Sequence, residues 1–142
     1  MFTLAIINPD AVATGHAGKI LAHLEGSGFA IRAARLVRLS TAQAEAFYAV
    51  HRERPFYRSL VTFMTSGPAL ALALKRDAAV PALREAIGAT DPAEAKAGTI
   101  RKLYAQSKER NAIHASDSDE NAAREIAFFF PEAELAELFR AG

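Results

Sequence analysis

Four short apolar runs, most of them followed by a segment with helical spacing, set the strongest limit on how this chain folds. Thr3 to Ile7 reads as a buried strand that ends in a turn at Asn8-Pro9-Asp10. Gly15 to Leu24 carries Ala17, Ile20, Leu21 and Leu24 on one helical stripe, and Gly26-Ser27-Gly28 stops it. Phe29 to Leu39 alternates imperfectly, as a strand with a bulge does. Ser40-Thr41 caps a second helix to about Val50, Arg54-Pro55 breaks the chain, and Tyr57 to Thr65 forms a short helix. Ala69 to Leu74 is the third strand and Pro81 to Ile87 a further helix. Residues 88–110 are polar and weakly periodic, the pattern of a long functional loop. Ala112 to His114 is the fourth strand, and the stripe Ala122, Ala123, Ile126, Ala127, Phe130 is a last helix that Pro131 ends. This order suits an α+β, ferredoxin-like split βαβ arrangement, with a doubly wound parallel sheet as the competitor. Residues 1–142 contain neither repeat nor linker and are expected to form a single domain.

Composition narrows the class. Of 142 residues, 51% are hydrophobic and 23% charged, and the net charge is +1. That balance argues against nucleic acid or an anionic membrane as the main partner. With no cysteine there is neither a disulfide framework nor a thiolate metal site. No apolar run approaches the ~20 residues that a membrane-spanning helix needs. The chain opens on a strand-like run rather than a targeting pattern, so a cytoplasmic location is expected.

Residues 111–118 carry the most chemistry. His114 lies where an apolar run meets Ser116, Asp117 and Ser118, and its expected place is the strand-to-helix turn. An imidazole is a free nucleophile near neutral pH. A lone histidine is more often a solvated turn residue, so its neighbours decide.

Those neighbours resemble the nucleoside diphosphate kinase family from end to end. Asn111-Ala112-Ile113-His114-Ala115-Ser116-Asp117 is similar to the signature Asn-x-x-His-Gly-Ser-Asp, and Arg54-Pro55-Phe56-Tyr57 to Arg-Pro-Phe-Phe. Ser66-Gly67-Pro68, Gly88-Ala89-Thr90-Asp91-Pro92 and Gly98-Thr99-Ile100-Arg101 follow the family in order and spacing. The resemblance implies a ferredoxin-like four-stranded antiparallel sheet, with helices packed on it and a long loop before the fourth strand. It implies a ping-pong transfer of the γ-phosphoryl group from a nucleoside triphosphate such as ATP or GTP to a nucleoside diphosphate, through phosphohistidine at His114. Glu125 would orient the His114 ring, and Tyr48 would steady it through its hydroxyl. Arg84, Thr90 and Arg101 would grip phosphates, guanidinium forks being suited to phosphate oxygens. Phe56 and Leu60 would sandwich the base, and Asn111 would bond the ribose. Mg²⁺ would be held mainly by phosphates and water, with no protein metal ligands. The family relation also implies a homo-oligomer built from dimers, a tetramer or hexamer, with residues 17–24 and the second strand supplying a contact. No membrane and no specific nucleic acid are implied as partners.

From residue type alone, blander roles stand beside these. Phe56 and Leu60 are as readily plain core. Arg84, Arg101 and Glu125 are more often solvated charges, and Tyr48 an amphipathic-helix residue. His16, His23 and His51 match no functional position and are expected at the surface.

Three positions depart from the family pattern. Asn8 stands where a lysine would touch the transferred phosphoryl group and the ribose, so charge and reach are lost. Losing one charged transition-state contact typically costs ~3–4 kcal/mol. Ala115 replaces a glycine that would permit an unusual torsion. Lys108 stands near the base edge, where an apolar residue is common. Two readings follow: a phosphotransferase slowed at Asn8, or a nucleotide-binding, regulatory member of the same family.

Overall fold

The computed structural model describes residues 1–140. In chain order the elements are β1 (Phe2–Ile7), α1 (Pro9–Ala13), α2 (Ala17–Gly26), β2 (Ala30–Val37), α3 (Thr41–Phe47), α4 (Tyr57–Met64) and β3 (Ala69–Lys75). There follow α5 (Ala79–Ile87), α6 (Ile100–Tyr104), β4 (Ile113–Ala115), α7 (Asp119–Phe129) and α8 (Glu132–Arg140). The strands form one four-stranded sheet in the order β2-β3-β1-β4. The pairs β1–β3, β1–β4 and β2–β3 are all antiparallel. This is the ferredoxin-like α+β arrangement, and the doubly wound parallel alternative is excluded.

The central strands are covered on both faces, which is why they read as unbroken apolar runs rather than as an alternation. Leu4, Ile6, Ala71 and Ala73 face a cluster with Phe47 of α3, Val61 and Met64 of α4, and Ile126 and Phe129 of α7. The alternate residues Ala5, Ile7, Leu72 and Leu74 face Ile20 and Leu24 of α2 and Leu83 and Ile87 of α5. Ile113 and Ala115 of β4 belong to this second cluster. With a period of two residues, His114 between them must point to the opposite face, toward α3 and α7.

Three elements differ from the sequence-based expectation. The long loop over residues 88–110 contains α6, five residues capped by Thr99, whose hydroxyl accepts from the Lys102 N–H. One turn and a half leaves too little periodicity to detect. Pro131 does not end the helical region: α8 follows it, and Leu135 and Leu138 pack against the first cluster. Pro131 does close α7, which ends at Phe129, and it also leads directly into α8, its carbonyl accepting from the Leu135 N–H at 3.0 Å. Asn8-Pro9-Asp10 is not a free turn but the start of α1, with Pro9 in its first turn. The bulge expected in the second strand is present as a register shift between Ile31 and Ala33.

Candidate active site

His114 lies within β4, on a strand rather than on the turn after it. Its Nε2 is 2.9 Å from Oε1 of Glu125, which α7 presents one face over. The Ser116 hydroxyl donates to the same oxygen at 2.8 Å, and Nη2 of Arg124 approaches the other carboxylate oxygen at 3.6 Å. Burial works to raise the Glu125 pKa. The hydrogen bond and charge of His114, the Ser116 hydroxyl and Arg124 together outweigh it, and the carboxyl is held below its usual range. A carboxylate ionised in this position fixes a proton on Nε2 and leaves Nδ1 with its lone pair. The His114 side chain is 23% exposed, enough for a ligand to reach.

Aromatic edges hold the ring from the side. Phe47 meets it at 5.6 Å between centroids and Tyr48 at 6.2 Å, both close to perpendicular. Tyr48 thus contacts His114 through its ring, not through a hydroxyl bond. Burial first, and then the negative charge of Glu125, push the Tyr48 phenol well above its ordinary pKa, so it stays neutral. Phe47, Ser116 and Arg124 escaped the sequence reading. Phe47 looks like an ordinary core residue of α3, and only the fold brings it to the imidazole.

Two arginines close on the strand around His114. Arg101 Nη2 donates to the carbonyl of Ile113 at 2.7 Å, Nη1 to Gly88 at 3.1 Å and Nε to Asn111 at 3.4 Å. Arg84, on α5, reaches the carbonyl of Ala115 at 3.5 Å. The carbonyls on either side of His114 therefore each carry a guanidinium. Arg101 is 7% exposed, and burial followed by the Arg84 charge pushes its pKa down to about 10, still fully charged at neutral pH. Arg84 is exposed and has donors to spare.

Asn8 is buried. Its Nδ2 donates to Oδ1 of Asn111 at 3.2 Å, and its own Oδ1 has no partner. Asn111 Nδ2 in turn donates to the carbonyl of Lys108. Ala115 has an ordinary strand backbone, since the non-glycine residues with positive φ are Ala78 and Ala112 among those described. Alanine after the histidine therefore strains nothing.

The remaining expected residues stand around this group without bonding to it. Phe56, at the N-terminus of α4, is 48% exposed and stacks obliquely on His51 at 5.4 Å. That excludes a plain core role for Phe56, whereas Leu60 does pack partly against the core. Ser59, beside Leu60, donates to Glu109 at 3.0 Å, so α4 is tied to the segment that leads into Asn111. Thr90 is exposed on the loop between α5 and α6. The histidines expected at the surface are part-buried and tie segments together. His23 Nε2 lies 2.7 Å from the carbonyl of Gly98, and His16 packs on Tyr104 at 5.1 Å. Neither could be foreseen, because both partners lie in segment 88–104.

Comparison with known proteins bears on the fold and the family. The sequence model described as nucleoside diphosphate kinase matches residues 2–135. The nucleoside diphosphate kinase of Halorhodospira halophila is 56% identical over 133 residues, 94% of each chain. That of Sorangium cellulosum is 54% identical over 134 residues, 94% of this chain and 93% of the other. Among solved structures, the Aquifex aeolicus nucleoside diphosphate kinase superposes with a TM-score of 0.91 at 46% identity, covering 94% of this chain and 96% of that one. A halophilic nucleoside diphosphate kinase from Halobacterium salinarum, solved in complex with CDP, gives 0.89 at 36% identity, covering 94% and 90%. Fold and matches define an enzyme of phosphoryl transfer between nucleotides. The chain belongs to the nucleoside diphosphate kinase family. No helix among the described residues is long and apolar enough to cross a membrane.

Proposed function

We propose that His114 is the nucleophile of a ping-pong exchange between nucleoside triphosphates and diphosphates such as those of adenine and guanine. The observation that carries this reading is the 2.9 Å contact between His114 Nε2 and Glu125. It commits one ring nitrogen to a proton and a carboxylate and leaves Nδ1 as the nucleophilic atom. Nδ1 attacks the γ-phosphorus; the N–P bond forms as the bond to the bridging oxygen breaks, and the nucleoside diphosphate leaves with that electron pair. The ring gains positive charge, which Glu125 stabilises. A second diphosphate reverses the step.

Arg84, Thr90 and Arg101 face the phosphates in this reading. Phosphoryl transfer asks for alignment and positive charge around the equatorial oxygens, and two guanidinium groups flanking β4 supply both. Phe56 and Leu60 take the base by stacking and apolar contact, without reading its edge. Asn111 bonds the ribose and Asn8 holds Asn111. The described residues contain no group of three or more histidines and acidic residues that could hold a metal. In this reading Mg²⁺ would come with the nucleotide, held by the phosphates and water, where it would offset phosphate charge.

The same reading makes the protein a cytoplasmic, dimer-based homo-oligomer. β2 lies at the edge of the sheet, none of its residues is fully buried, and Leu36 is 67% exposed. An open edge that exposes Leu36 favours pairing with a second copy, with α2 alongside.

The test is incubation with γ-labelled triphosphate and Mg²⁺, followed by mapping of acid-labile label. Label on His114 in the parent, and none in His114→Ala with nucleotide affinity within a few fold, is expected. Full exchange activity in His114→Ala would overturn the mechanism.

A further inference from the structure

The most strained backbone near the site is at Ala112, where φ is +73°. The Ile113 N–H bonds the Asn111 carbonyl across it at 2.9 Å, a three-residue γ-turn. Alanine resists this conformation, and such residues persist only where their surroundings over-determine them. Here the turn that begins α1 supplies the constraint. The Asn8 N–H donates to the Ala112 carbonyl at 2.8 Å, Asp10 Oδ2 accepts from the Ala112 N–H at 3.2 Å, and Asn8 Nδ2 donates to Asn111 Oδ1 at 3.2 Å. Both backbone polar groups of the strained residue are thus held by residues about a hundred positions earlier. Asn8 and Asp10 are 4% and 6% exposed, so the clamp is shielded from water.

We propose that Asp10 is a positioning residue for the exchange reaction: with Asn8 it forces the γ-turn at Ala112, and the turn sets the direction of Asn111 toward the nucleotide. The assignment rests on the reading of Asn111 as the ribose contact. It also gives Asn8 a task that a lysine in its place would not perform, since the Asn8–Asn111 bond is amide to amide. Asp10 acts as an acceptor rather than as a charge. Burial, the largest influence on it, raises its pKa against the bonds from backbone N–H groups and the charge of Arg110. The contact with Ala112 is a single N–H to Oδ2 bond, which an amide oxygen in the same place can also accept.

The test is steady-state and single-turnover kinetics on Asp10→Ala, Asp10→Asn, Ala112→Gly, Asp10→Ala/Ala112→Gly and Asn111→Ala. Asp10→Ala should raise the nucleotide KM by roughly 10–100-fold, the usual cost of losing a partner that orients a ligand-binding group. Its kcat should stay within about threefold, because a ground-state contact is lost rather than the nucleophile. Asp10→Asn keeps an oxygen for the Ala112 N–H and should stay near the parent. Ala112→Gly should be near the parent alone, and in the double variant should recover most of the lost KM, because glycine adopts positive φ unaided. If Asp10→Ala does not fold, Ala112→Gly should restore folding to it. An unchanged KM in Asp10→Ala, an Asp10→Asn as impaired as Asp10→Ala, or no rescue by Ala112→Gly each overturns the clamp. An unchanged KM in Asn111→Ala overturns the ribose reading instead, and the rescue still judges the clamp by itself.

Discussion

Glu125 Oε1 lies 2.9 Å from Nε2 of His114, and the Ser116 hydroxyl bonds the same oxygen at 2.8 Å. One carboxylate oxygen thus fixes both the imidazole and the residue two places after it. An orienting group of this kind contributes less than the nucleophile but more than a surface charge. Glu125→Ala should lower the rate of phosphohistidine formation by roughly 10–100-fold without abolishing it. Rapid-quench measurement of labelled His114 checks this, and a parent-like rate would reduce Glu125 to a structural charge.

The depressed Glu125 pKa has a signed consequence for stability. A carboxyl whose folded pKa lies below its unfolded value binds fewer protons when folded. Its contribution is full above the ordinary value of 4.5 and is lost as pH falls through the lower folded value. Asp10, raised by burial, has the opposite sign. The stability gap between the parent and Glu125→Gln should therefore be constant near neutral pH and close below pH 4.5. Urea unfolding of both proteins across that range measures it. A gap that widens as pH falls would contradict the assigned direction.

Gly88 begins the loop that carries Thr90. Its φ is +88°, and a Cβ there would lie 2.5 Å from Oγ1 of Thr99, the cap of α6, while its carbonyl accepts from Arg101. Gly88→Ala meets both the torsional penalty and the clash. A loss of about 1–3 kcal/mol in unfolding free energy is expected, together with a raised nucleotide KM as Arg101 is displaced. Thermal unfolding and initial rates test the two effects separately. An alanine variant with parent stability would mean the loop moves freely at this point.

What the sequence disclosed follows physical range. The four strands were legible because β1 and β3 are apolar apart from Thr3 and the terminal Lys75, and β2 and β4 sit beside turn chemistry at Gly28 and Ser116. Periodicity alone did not yield the topology, since strand order depends on which helices cover which face; the antiparallel sheet was expected from the family motifs. The pairing of Ile6 with Ala71 on one side and His114 on the other, both antiparallel, rules out the parallel alternative. At the site, His114 and Glu125 were visible as chemical types at a motif spacing. The Phe47 edge, the carbonyl bonds of Arg101 and the Asp10 clamp were not, because each joins residues that are remote in the chain or bonds through backbone atoms. Short α6 fell below the length at which a helical period registers.

Asn8 offers the sharpest trial of how this chain differs from its family pattern. Its side chain reaches Asn111 and has no charge to offer a phosphate. Asn8→Lys exchanges one contribution for another. It removes the amide bond to Asn111, worth about 1 kcal/mol or roughly fivefold. It adds an ammonium to the phosphate side of the cleft, where one charged transition-state contact is worth on the order of 10²–10³ in rate. The second effect dominates, so the single-turnover rate of phosphohistidine formation should rise by at least tenfold at saturating Mg²⁺-nucleotide. The gain should appear in the chemical step, while KM improves little because Asn111 is held less firmly. A slow parent with no gain in Asn8→Lys would favour the nucleotide-binding, regulatory reading. A fast parent would show that another cation already supplies the charge, and Arg84, exposed beside His114, is the first to replace with glutamine.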